Sequence, residues 1–134
     1  MNKMNPVVHF EMPYEDKNRM ADFYTKTFGW KAQMLGEDMG NYVVMQTGET
    51  DEKGMLKQPG MVNGGFYKKP VDKAVESPSF VISVEDVKES LKKIVEAGGK
   101  ALGEPMDIPG IGCYCSFLDT EGNRASILQP LKKM

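Results

Sequence analysis

From Val7 to Met12 apolar and polar positions alternate, with Val8, Phe10 and Met12 on one side and Val7, His9 and Glu11 on the other, which is the period of a half-buried strand. Pro13 is expected to close it. Asp16 then stands where a helix N-cap belongs, Met20, Phe23, Tyr24 and Phe28 recur at helical spacing, and Gly29 marks the stop. Trp30 to Met34 reads as a short strand, residues 36–40 as a turn, and Asn41 to Gln46 as a strand by its β-branched and aromatic content. The polar, Gly-rich stretch 47–60 predicts a long loop, and Met61 to Tyr67 a return to strand.

Nearly the same order follows again. Phe80 to Val84 predicts a strand, Asp86 a cap, and Val87, Leu91, Ile94 and Val95 a buried helical stripe that ends at Gly98-Gly99. Lys100 to Leu102 opens a strand, residues 103–112 read as a Pro/Gly-punctuated loop, and Cys113 to Leu118 as a strand. The turn Asp119–Asn123 leads to a last strand, Ala125 to Gln129. Each half is thus one strand, one helix and three strands, an α+β pattern. Two copies of one supersecondary unit usually pair their open sheets around a shared centre. The expectation is a single domain over residues 5–131, with module one at 5–67, a charged, proline-bounded linker at 68–78 and module two at 79–131.

Composition narrows the function classes. At 134 residues, 40% hydrophobic and 27% charged, the chain is long enough to bury a core without staples, and it has no apolar run of the roughly 20 residues that cross a bilayer. The N-terminus lacks the apolar core of a secretory signal, so a cytoplasmic protein is expected. Seventeen basic against nineteen acidic residues, with no basic stripe, leave nucleic acid an unexpected partner. Cys113 and Cys115, two apart in a strand, suit reduced thiols better than a disulfide. Eleven methionines are many for this length and suit adaptable packing.

The order VVHFEMP, MADFYTKTFGW, VISVEDVKESLKKIVEAGG, FLDTEGN and ILQP, running through almost the whole chain, resembles the glyoxalase / bleomycin resistance / dioxygenase superfamily, also called the vicinal oxygen chelate superfamily. The resemblance implies two βαβββ modules forming an open, incurved mixed β-sheet barrel with helices on the outside. It also implies a small-molecule ligand in the concave side, a homodimer, and in many members a divalent metal held by residues of both halves. Carried over residue by residue, the metal set reduces to His9. The second-half counterpart falls near Val81, the last-strand position that carries Glu in metal-dependent relatives is Ser126, and the first-half equivalent lies around Met61 to Phe66, which holds neither Glu nor His. A neutral hydroxyl replaces a carboxylate poorly, since such sites draw their affinity from charged or imidazole ligands.

The candidate residues follow. His9 is the only histidine, and with Glu11 on the same strand face it makes a possible acid–base pair; a solvated Glu11 at the barrel mouth is the alternative. Tyr42, Phe66 and Phe117 are candidate aromatic walls of an apolar pocket, with Cys113, Cys115 and Ser126 beside them; some of the rings can equally be core beneath the helices. Two thiols and an imidazole would make a soft metal set, while cysteines one residue apart in a strand are commonly packing residues. Phe23, Tyr24, Phe28 and Trp30 read as helix-on-sheet packing. Two functions remain open: a glyoxalase-like lyase or isomerase acting on a small oxygenated substrate, or a metal-free protein that sequesters a drug or metabolite.

Overall fold

A computed structural model describes residues 4–52, 61–69 and 77–131. By proximity they fall into two units, one from His9 to Pro78 and the other made of the described residues up to Val8 together with those from Ser79 onward. One boundary between them falls at Pro78/Ser79. The described residues up to Val8 go with the second unit, in which the backbone N–H of Ser83 donates to the carbonyl of Pro6 at 2.9 Å.

The first module holds β1 (Val7–Tyr14), α1 (Lys17–Phe28), β2 (Lys31–Met34), a 3-10 turn (Glu37–Met39), β3 (Val43–Gln46) and β4 (Gly64–Lys68). The strands order as β2-β3-β4-β1, with β1 parallel to β4 and the other pairs antiparallel. Asp16 caps α1 by accepting from the Arg19 N–H at 3.0 Å, and Gly29 ends it at φ 74, a left-handed conformation that glycine adopts without a Cβ clash. Pro13 does not close β1, which runs one residue further. Its Cα pairs with that of Tyr67 in the ladder, and a proline forfeits only its own donor, not the extended conformation.

The second unit repeats the plan. It contains β5 (Ser79–Ser83), α2 (Val87–Glu96), β6 (Lys100–Ile108), β7 (Gly112–Leu118) and β8 (Arg124–Pro130), ordered β5-β8-β7-β6 with β5 parallel to β8. Asp86 caps α2 through the Glu89 N–H at 3.2 Å. Here the loop expected at 103–112 is largely strand, because β6 continues to Ile108 through a register shift between Leu102 and Met106. Gly103 and Pro105 lie at that irregularity on the edge strand, where a bulge tolerates both.

Each module has one helix-covered face. In the first, Tyr14, Val43, Met45 and Phe66 form the core, with Phe10, Met12, Met20, Tyr24 and Trp30 packed against it. In the second the core is Val84, Val87, Cys115 and Ile127, joined by Ile82, Leu91, Ile94, Cys113 and Phe117. The expected helical stripes are narrower than their spacing suggests: Phe23 and Phe28 on α1 remain 55% and 59% exposed, and Val95 on α2 is exposed as well. Of the loop at 47–60 and the linker at 68–78, residues 53–60 and 70–76 lie outside the described residues.

Candidate functional site

Strand alternation leaves each sheet a second face, turned away from its helix. On module one that face carries His9 and Glu11 of β1 and Tyr42, which precedes β3. Tyr42 is the centre of the group. Its Oη lies 2.9 Å from His9 Nε2 and donates to Glu11 Oε2 at 3.3 Å, while the His9 and Tyr42 rings stack 6.5 Å apart at 16°. A tyrosine hydroxyl has one hydrogen; with that given to Glu11, bookkeeping assigns the Nε2 hydrogen to His9 and leaves Nδ1 as the basic nitrogen. Burial pushes the imidazole below its ordinary 6.5, and the negative charge of Glu11 pulls it part of the way back. His9 is therefore neutral at pH 7. Glu11 itself is buried, with 8% of its surface exposed.

The cradle for this group is glycine. A Cβ on Gly65 would run into the ring and hydroxyl of Tyr42, and a Cβ on Gly64 into the ring of Phe10, so the two glycines let one aromatic lie flat on each side of β4. Tyr14 holds the turn before Tyr42 by donating to the Asn41 carbonyl at 2.7 Å, and Asn41 is the one described non-glycine residue with positive φ.

On module two the face away from α2 is also polar. Ser126 is fully buried there, 2.7 Å from the Tyr114 hydroxyl and 2.9 Å from the Ser116 hydroxyl. Arg124 donates from Nη1 to Ser79 Oγ and from Nη2 to Ser116 Oγ, both at 3.3 Å. Alternation in β7 already separates Tyr114 and Ser116 from Cys113, Cys115 and Phe117. Only the register with β8 shows which set lies beneath the helix, so Tyr114, Ser116, Arg124 and Ser79 escaped the sequence reading.

Against the expected site residues, the structure joins His9, Glu11 and Tyr42 and departs on four others. Phe66 lies on the helix side of its sheet, 5.3 Å from Tyr24, while Cys113, Cys115 and Phe117 pack in or against the core under α2. The cause is the strand period of two, which commits alternate residues to the helix. Ser126 faces the other way, into the hydroxyl cluster. A depression of about 500 Å³ beside the start of α1, bounded by Met12, Tyr14, Arg19, Phe23, Phe66 and Lys69, contains none of His9, Glu11 and Tyr42. It is separate from that chemistry.

The metal expectation meets a donor set that does not fit. Val81 pairs with Ser126 in the β5/β8 ladder and offers no lone pair, Ser126 is committed to two hydroxyls, and the β4 equivalent is Gly64-Gly65-Phe66. No group of three or more His, Cys, Asp and Glu among the described residues is placed to hold an ion. Burial pushes the Cys113 and Cys115 thiols up, and nearby negative charge adds to it.

Paired βαβββ repeats, each covered by one helix and polar on its other face, define a class of α+β protein known from solved structures. The chain belongs to the Glyoxalase/Bleomycin resistance protein/Dioxygenase superfamily, whose family model matches residues 7–127. A glyoxylase-like domain-containing protein of Didymella fabae is 31% identical over 120 residues, covering 87% of this chain and 88% of that one. The protein CFP32 of Mycobacterium tuberculosis is 27% identical over 133 residues; this chain spans 46% of its length, about half. The fold matches the crystal structure of methylmalonyl-CoA epimerase from Mycobacterium tuberculosis with a TM-score of 0.65 over 94% of this chain and 88% of that one, at 12% identity.

Proposed function

We propose that the chain binds a small oxygenated organic molecule on the face that carries His9, Tyr42 and Glu11, and moves a proton there without a metal, in the manner of an isomerase or lyase. The observation that supports this reading is the unbroken chain from His9 Nε2 through Tyr42 Oη to Glu11 Oε2 around a buried carboxylate. A neutral imidazole at pH 7 is a competent base. When Nδ1 takes a proton from a carbon beside a carbonyl, positive charge develops on the ring; its Nε2–H holds Tyr42, and the Tyr42 hydroxyl holds Glu11, whose charge stabilises the imidazolium. Tyr42 and Glu11 orient the base, and His9 performs the transfer.

The test follows deuterium uptake from D2O into small 2-oxo acids and acyl thioesters by proton NMR, together with the His9 imidazole resonances. Saturable shifts of those resonances and uptake at the carbon next to the carbonyl are expected, with uptake lowered roughly a hundredfold in His9→Asn and Tyr42→Phe. Neither shift nor uptake would overturn the reading. Binding without uptake would instead support sequestration of a drug or metabolite, a reading favoured by the fact that no buried side-chain polar atom among the described residues lacks a partner.

We also propose that the protein is a cytoplasmic homodimer. No helix among the described residues is long and apolar enough to cross a membrane. β2, the edge strand of module one, has all four residues exposed, and an exposed edge is a pairing surface. Light scattering at the mass of one chain would count against the dimer.

A further inference from the structure

We propose that the face of module two away from α2 is an anion-binding subsite, in which Arg124 with the hydroxyls of Ser79, Ser116 and Tyr114 takes the carboxylate or phosphate group of a small molecule. The inference stands on this module alone and does not rest on proton transfer at His9. Three strands build the cluster. The β7/β8 register sets Ser116 opposite Ser126 and Leu118 opposite Arg124, and the β5/β8 register sets Val81 opposite Ser126, which brings Ser79 within reach of Arg124. The guanidinium thereby bridges β5 and β7, with Nη1 on Ser79 and Nη2 on Ser116.

Charge decides what such a face recognises. Arginine is cationic at any working pH, and this one is only half-buried, so its field reaches a ligand while burial keeps it less screened than at an open surface. Ser79, Ser116, Tyr114 and Ser126, which make up the rest of this cluster, are neutral hydroxyls, so the formal charge these residues present together with Arg124 is positive. A divalent ion is disfavoured and an oxyanion favoured. Tyr114, Ser116 and Ser126 lie 2.7 to 3.4 Å from one another, and hydroxyl hydrogens rotate, so the cluster can turn donors toward an incoming oxygen without moving its backbone. The planar fork of the guanidinium matches two oxygens of one carboxylate or phosphate.

The experiment is titration of the full chain with succinate, with acetate and with inorganic phosphate at low salt, read by amide NMR shifts and calorimetry. Saturable binding by at least one anion is expected, with the largest shifts at Ser79, Ser116, Arg124 and Ser126. Succinate and acetate binding without phosphate identifies a carboxylate site, and the reverse a phosphate site. Arg124→Gln should weaken binding about tenfold or more, Ser116→Ala less, and Arg124→Lys should recover only part, since it keeps the charge but loses the fork. Lys92→Gln, an exposed α2 change, should alter nothing. No saturable binding, full binding in a folded Arg124→Gln, or shifts confined to surface lysines would each overturn the proposal. Failure here leaves the His9 resonances and deuterium uptake as an independent readout of the other site.

Discussion

His9 shows how much one position can carry. Its imidazole titrates below 6.5 because burial opposes the charge more than Glu11 supports it. In the unfolded chain it protonates near its ordinary value. As pH falls from above 6.5 toward the lower folded value, the unfolded state binds more protons and folding stability is lost; above 6.5 the residue contributes no slope. Urea melts from pH 8 to 5 should show this decline, and His9→Asn should flatten it. An unchanged slope in the variant would remove His9 as its source. His9 and Glu11 were legible as a pair on one strand face, because a period of two needs no partner strand to be read. Tyr42 was legible as a candidate, but its position between them was not, since that contact joins residues 33 and 31 positions apart.

At the scale of elements, caps and glycines mattered more than propensity. Asp16 and Asp86 cap helices that begin one residue later, as their positions before apolar stripes implied, so Asp86→Ala should cost about 1 kcal/mol and be measurable as a lower urea midpoint. Gly65 tests the site's cradle. In Gly65→Ala the new methyl would push Tyr42 off β4 and break the hydrogen bonds of its hydroxyl with His9 and Glu11, with a stability loss of about 1–3 kcal/mol and a change in the His9 pKa visible by NMR titration. A His9 titration unchanged from the parent would mean that Tyr42 swings aside without leaving its partners. Proline and glycine misled the reading where they were taken as strand breakers: Pro13 sits inside β1, and Gly103 and Pro105 inside β6. Pro13 keeps the extended conformation near the end of its strand, and the bulge on edge strand β6 accepts Gly103 and Pro105, whereas being an edge is not a local property.

For the molecule as a whole, duplication was the strongest signal, and both copies have the expected strand-helix-three-strand order. β1 crosses the boundary between the two units at Val8/His9, and each unit by itself is near the size at which a single core is marginal. We expect one cooperative transition in calorimetry; two separate transitions would make the modules independent domains and sink the single-domain assignment. By itself the sequence determined the repeat, the helix limits and the alternation of strand faces, because each depends on residues close together along the chain. Tertiary structure alone decided which alternate face each helix covers. That choice moved Phe66, Cys113, Cys115 and Phe117 into the packed cores and brought Tyr42 to His9 and Glu11, and Arg124 to Ser79 and Ser116. Pairing register is a property of distant segments, and a one-residue change in it would exchange every side chain between core and site.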